Sequence, residues 1–149
     1  MNSQWTYNNE IIENESQFHP KALAFVYKIT RLEDGKMYFG KKLCYFKKTS
    51  IKTIVDKKGI KKKKKTTTLV PSDWKTYWSS SPELQKDVAK LGEGAFSREI
   101  LCWCENKGSA NYYELRYQMD NRVLEIGDKS YNGYMGGRIN KNHIKGILI

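Results

Sequence analysis

Tyrosine, lysine, arginine and one well-placed glutamate are what this chain offers for chemistry. Tyr27 and Tyr38 occupy comparable places in two short apolar runs within the stretch AFVYKITRLEDGKMYFGKK. A hairpin brings both phenols onto one surface, and the same pattern is equally ordinary sheet packing. Glu114 follows two tyrosines and precedes Arg116 on a helical stretch. A carboxylate among phenols and cations can hold one Mg²⁺, because a hard ion takes oxygen ligands; the bland alternative is a surface ion pair along the helix. Other catalytic chemistries lack their residues. There is no G-x-S-x-G motif, no P-loop and no H-x-x-x-H spacing, and the two histidines, His19 and His143, lie in the leader and the tail. A histidine-based hydrolase is poorly supported.

These residues need a scaffold, and the sequence outlines one. Phe25–Thr30 and Lys36–Gly40 read as two strands joined by Glu33-Asp34-Gly35, a turn whose glycine takes positive φ. Ser81-Pro82-Glu83 opens a helix with a capping serine, a proline at the first helical position and an acid at the positive end of the dipole. Leu84, Val88 and Leu91 give that helix one apolar face, and Gly92 and Gly94 stop it. Phe96–Trp103 is strand-like, with Ile100 and Cys102 expected on one side and Leu101 and Trp103 on the other. A second helix opens at Ser109-Ala110, runs through Asn111–Glu125 and carries Glu114. A loop rich in Gly, Asn and Tyr follows, then a tail with Arg138 and His143. The order predicts an α/β (α+β) domain, a small three-stranded antiparallel sheet flanked by helices. Residues 1–23 form a polar leader expected at the periphery, 24–140 the domain with a basic insertion at 41–70, and 141–149 a tail.

Charge is concentrated in that insertion. Residues 41–65 hold twelve lysines against one acid, Asp56, so the net charge of +11 lies there and the remainder is balanced. A run of five lysines cannot enter a core. It forms a solvated arm or a strand pair leaving the body, kept extended by self-repulsion. Such a segment suits a polyanion, with nucleic acid the first candidate and an anionic membrane surface the second. A localisation-type patch, a solubilising loop or a dock for an acidic protein remain open readings.

Cys44, Cys102 and Cys104 make an odd set with no secretory leader, which argues against a disulfide framework. Their scatter disfavours a zinc finger, and buried thiols are the better reading. No apolar run approaches the roughly 20 residues of a membrane span. A soluble, cytoplasmic protein is expected.

Phe25-Val26-Tyr27, followed by Tyr38-Phe39-Gly40, resembles the signature of the GIY-YIG nuclease family. Phe replaces the first Gly, Val replaces Ile, and Phe replaces the second Ile. The resemblance extends through Lys41-Lys42, Ser79-Ser80-Ser81 with its helix, the Phe96–Leu101 strand, Glu114 and Asn132-Gly133, covering roughly residues 24–135. Asp73–Leu101 looks most like small phage-type members with a lysine-rich insertion, similar to homing-endonuclease catalytic domains. The resemblance implies three antiparallel strands flanked by helices, one divalent metal (Mg²⁺ or Mn²⁺) and cleavage of DNA by a phage-encoded enzyme.

Residue by residue, the resemblance implies that Tyr27 positions or deprotonates the attacking water and that Tyr38 shares this network. Glu114 would hold the metal and Asn132 would support. The family's arginine after the second triplet has no counterpart, and Lys42, Lys41, Lys75 or Arg98 would substitute. Lys41, Lys47, Lys48, Lys61, Lys62, Lys63, Lys64, Lys65 and Lys75 would bind the DNA backbone without reading bases. With no helix-turn-helix or zinc finger attached, a monomer or dimer on DNA would draw its specificity from itself or from a partner protein. A non-catalytic nucleic-acid-binding module with the same fold is the alternative.

Overall fold

The computed structural model describes residues 4–136 and 139–140; Arg138, His143 and the 141–149 tail lie outside the described residues. The strands are β1 (Trp5–Tyr7), β2 (Glu10–Ile11), β3 (Ala24–Arg31), β4 (Met37–Leu43), β5 (Tyr45–Val55), β6 (Lys61–Pro71), β7 (Phe96–Cys104), β8 (Tyr134–Met135) and β9 (Ile139–Asn140). Among the described residues two α-helices interleave with them, α1 (Pro82–Leu91) and α2 (Lys107–Asp120).

The central sheet is mixed and five-stranded, in the order β2-β1-β7-β3-β4. The expected antiparallel trio is present as β7-β3-β4, but the leader adds two more strands, and β1 runs parallel to β7. The reason is hydrophobic. Trp5 is 1% exposed, packs edge-on against Phe25 and Tyr27, and donates its indole N–H to the Trp74 carbonyl at 2.7 Å. Ile12 and Phe18 are buried in the same cluster, so the stretch expected at the periphery supplies core. Burial of these rings offsets part of the entropy lost when the leader is ordered.

The β3–β4 hairpin turns through Gly35 at φ 77° and pairs Tyr27 with Gly40 and Ile29 with Tyr38. Period-two alternation then puts Phe25, Tyr27, Ile29, Tyr38 and Lys42 on one face of the sheet and Val26, Lys28, Phe39 and Lys41 on the other. The first face packs on α1 through Leu84 and Val88, and the second on α2 through Ala110 and Tyr117. In β7 the pairing with β3 skips Leu101, a bulge between Val26 and Tyr27. The extra residue shifts the alternation, so Ile100 shares its cluster with Trp103, and Cys102 joins the opposite one, unlike the simple alternation expected.

Helix α1 starts as its sequence dictates, with the Ser81 hydroxyl accepting from the Leu84 N–H at 3.3 Å. It is pinned to the hairpin by Lys36–Glu83 at 2.6 Å and Arg31–Asp87 at 3.0 Å. Helix α2 begins earlier than expected, at Lys107, because the Asn106 side chain accepts from Ser109 N–H at 2.8 Å. It also ends earlier, at Asp120, and Val123 and Leu124 are buried in the turn that follows, where Arg122 takes φ 51°.

Residues 45–71 form a separate two-stranded antiparallel ribbon of eleven residues per strand. Its turn is closed by the Asp56 carboxylate, which accepts from Lys58 N–H at 2.9 Å and Ile60 N–H at 2.8 Å. Its base is tied to β4 by Ser72, whose hydroxyl donates to the Leu43 carbonyl at 2.6 Å. No helix among the described residues is long and apolar enough to cross a membrane.

Candidate active site

Strand β4 is an edge of the central sheet, and the chemistry-bearing residues gather along it. On the α1 face, Tyr27 and Tyr38 are diagonal neighbours with ring centroids 6.1 Å apart. Tyr77, from the aromatic segment before α1, meets Tyr27 at 6.0 Å in an edge-on contact. The Tyr38 hydroxyl lies 3.1 Å from the Ser80 hydroxyl. Ser79 takes φ 78°, unusual for a residue with a Cβ, and sits between Tyr77 and the α1 cap. The resulting chain, Tyr77–Tyr27–Tyr38–Ser80, runs over Gly40, the one β4 position on this face without a side chain to block it.

Both phenols are held neutral. Burial pushes Tyr27 well above the usual tyrosine range, with Tyr38, Tyr77 and Glu114 nearby adding to it. Burial likewise raises Tyr38, and the Ser80 hydrogen bond opposes that rise.

Helix α2 approaches β4 from the other face. Asn111 accepts from the Lys41 ammonium, and the Gln118 amide donates to the Phe39 carbonyl at 3.1 Å. Glu114 lies between these two, at helical spacings that keep all three on one side. Its carboxyl is raised by burial, while the Lys41 charge and main-chain amide pull it down. Gln118 is buried, and its Oε1 has no hydrogen-bond partner among the described residues.

Asn132 completes the edge. Its Oδ1 accepts from Phe39 N–H and its Nδ2 donates to the Phe39 carbonyl, both at 3.0 Å. Both polar ends are committed to backbone, so Asn132 holds the strand rather than offering a ligand.

These walls enclose a cavity of about 660 Å³, lined by Tyr38, Lys41, Ser80, Glu114, Gln118 and Tyr134 among others. The structure thus brings Tyr38, Lys41, Glu114 and Asn132 together, with Tyr27 directly behind. The other cations lie elsewhere. The Lys42 ammonium pairs with Asp73 and sits 4.1 Å from the Tyr77 ring centre, behind the phenols and in a neighbouring hollow. Arg98 is not in the cavity. It lies between Trp5 and Trp78, at 4.8 and 4.2 Å, and donates to the carbonyls of Lys75 and Tyr77 at 3.0 and 2.9 Å. Burial pulls its guanidinium down to about 10. The Lys75 ammonium lies 5.6 Å from the Trp74 ring centre.

Residues 5–137 match the family model described as "Putative endonuclease segE, GIY-YIG domain". The chain belongs to this GIY-YIG family. No curated protein and no solved structure matches it.

Membership of a GIY-YIG endonuclease-domain family supports a nuclease reading and makes nucleic acid the implied substrate. The match begins at Trp5, in agreement with the place of β1 in the sheet. Within this GIY-YIG domain, sequence reasoning missed Tyr77, Ser80 and Gln118. Tyr77 stood in a segment already marked as dense in aromatics, and Ser80 in the loop before a recognised cap. Gln118 follows Glu114 by one helical turn, a spacing that places the two on one face.

Proposed function

We propose that this chain is a metal-dependent DNA endonuclease whose scissile phosphate sits in the Glu114 cavity. The observation that carries the reading is the convergence of Tyr38, Lys41 and Glu114 on one cavity, from both faces of an edge strand. Among the described residues no cluster of three or more His, Cys, Asp or Glu exists. One carboxylate, with the unpartnered Gln118 oxygen a turn away, is a sparse all-oxygen donor set. That set suits Mg²⁺, or Mn²⁺, since such an ion keeps several waters and takes further oxygens from phosphate. Bound at Glu114, the ion supplies Lewis-acid stabilisation to the phosphate and the departing 3′ oxygen.

The chain's own groups do the rest. Glu114 acts ionised, and Lys41 favours that form while neutralising a phosphate oxygen. Lys41 gives charge without the two-pronged grip of a guanidinium. Tyr38 orients the attacking water, and its bond with Ser80 gives the departing proton a path outward. Tyr27, packed edge-on against Tyr77, holds the Tyr38 ring in place. Because burial keeps both phenols neutral, they work as hydrogen-bonding groups and not as phenolate bases.

One observation favours a second reading, a binding module without catalysis: among the described residues no arginine lines the cavity. A supercoiled-plasmid assay decides between them. Nicking that requires Mg²⁺ or Mn²⁺ and disappears in Glu114→Ala, with DNA binding retained, supports the endonuclease. Binding by the wild-type chain without nicking selects the second reading.

A further inference from the structure

The register of the β5–β6 ribbon divides its lysines equally between two faces. Pairing sets Lys47 opposite Leu69, Ile51 opposite Lys65, Thr53 opposite Lys63 and Val55 opposite Lys61. Opposed residues in a ladder point to the same side, and neighbours along a strand to opposite sides. One face therefore carries Lys47, Lys61, Lys63 and Lys65. The other carries Lys48, Lys52, Lys62 and Lys64, with Lys52 directly opposite Lys64. From Phe46 to Leu69 every residue except Asp56 is exposed, so neither face is covered by the body of the protein.

Equal charge on both faces is costly in an isolated ribbon. The Lys52–Lys64 pair is a like-charge cross-strand contact, and the lysines of β6 repeat every second residue on each side. A ribbon lying flat on a phosphate surface, or on an acidic protein, neutralises one face and leaves the other unrelieved. A ribbon standing between two rows of phosphates neutralises both.

The dimensions agree with the second arrangement. Eleven residues of strand span roughly 35 Å, about one turn of duplex. A sheet with its side chains is about 10 Å thick, against a major groove about 12 Å wide. Two strands set about 5 Å apart stand within its depth of about 8.5 Å. Resting on the reading of DNA as the substrate, we propose that the ribbon enters the major groove edge-on, each face reaching the phosphates of the nearer backbone. Its base joins β4 through Leu43 and Cys44, so the ribbon is tied directly to the strand that carries Tyr38 and Lys41.

The test uses the full chain and a 30-base-pair duplex without divalent ions, so that binding is read apart from cleavage. Two variants are compared across salt concentrations, Lys47→Ser/Lys61→Ser/Lys63→Ser/Lys65→Ser and Lys48→Ser/Lys52→Ser/Lys62→Ser/Lys64→Ser. Each should reduce the slope of log affinity against log salt by about 3 to 4, since four phosphate contacts are lost. A major-groove ligand, methyl green, should compete with the chain, and a minor-groove ligand, distamycin, should not. A slope change confined to one variant overturns the proposal in favour of a ribbon lying flat. So does indifference to methyl green. Equal competition by polyglutamate and duplex shows an acidic-protein dock instead. Circular dichroism of both variants verifies that the ribbon persists. If both faces bind yet the wild-type chain never nicks a plasmid with Mg²⁺, the groove assignment stands and the endonuclease reading falls.

Discussion

Gly40 lies directly under the phenol of Tyr27: a Cβ at position 40 would stand 2.5 Å from the hydroxyl oxygen and 2.6 Å from the ring carbon that bears it. Tyr27 is itself 1% exposed and hemmed by Trp5 and Tyr77, so its ring has no room to yield. Gly40→Ala should therefore displace the phenol chain while β4 stays paired. Overpacking of this kind costs about 1–3 kcal/mol. A fall in Tm of roughly 3–10 °C is expected, together with a loss of nicking much larger than the loss of folded protein. Thermal melting and plasmid nicking on the same sample check both.

Tyr27 and Tyr77 pack edge to face and should act as one unit. Tyr27→Phe is expected to slow nicking by about tenfold or more while leaving the dissociation constant for DNA nearly unchanged. Tyr77→Phe should do the same, and the double variant should be no worse than the more severe single change. Fully additive losses would return both tyrosines to simple packing. Since burial raises the phenols of Tyr27 and Tyr38, the rate should show no rising limb from phenolate formation at the ordinary tyrosine value near 10.

Glu114 should have opposite effects on stability and on activity. Its folded-state pKa is raised by burial, so its stabilising contribution is complete below the unfolded value and is lost as pH rises through the folded value. Near neutral pH the ionised carboxylate is thus a net cost. Glu114→Gln should melt at the same temperature as the wild type or slightly above it at pH 7, and lose that advantage on acidification. Nicking, which needs the ionised form, should decline on acidification before an ordinary glutamate would protonate. Parallel melts and rate–pH profiles would expose a different sign.

The two cations nearest in expectation should separate cleanly by experiment. Arg98→Lys loses the forked donation to the Lys75 and Tyr77 carbonyls and the stacking between Trp5 and Trp78. It should lower Tm by several degrees yet leave nicking per folded molecule intact below the melt. Lys41→Ala, at an exposed position on the cavity wall, should leave Tm in place and cut nicking by about tenfold or more. The reverse pattern would assign the phosphate-facing role to Arg98.

Local signals in the sequence were legible where one segment decides its own shape. The Gly35 turn, the Ser81 cap and the helix that presents Glu114 each depend on residues a few positions apart. What depended on distant partners was not. Trp5 and Tyr7 suggest a short strand or arm anchored on the body, but nothing in them announces that it runs parallel to a strand more than ninety residues later, with Trp5 opposite Arg98. The bulge at Leu101 is silent in an uninterrupted apolar run, and it decides which face Trp103 takes. In the sequence Arg98 reads as a substitute for the family arginine, whereas two tryptophans from different segments enclose it. Tyr38 and Glu114 were recognisable by type, whereas Tyr77 and Ser80 depend on how the 73–81 segment crosses the sheet.

Asn132 answers both the N–H and the C=O of Phe39 with a single side chain, as an adjacent strand would. A sheet normally invites another chain at such an edge, and self-association through added strands is the usual hazard. Here the invitation is declined by an amide too short to propagate a ladder. At Phe39, then, the border is sealed by one side chain, and it stays free of an added strand where Tyr38 and Lys41 face the cavity.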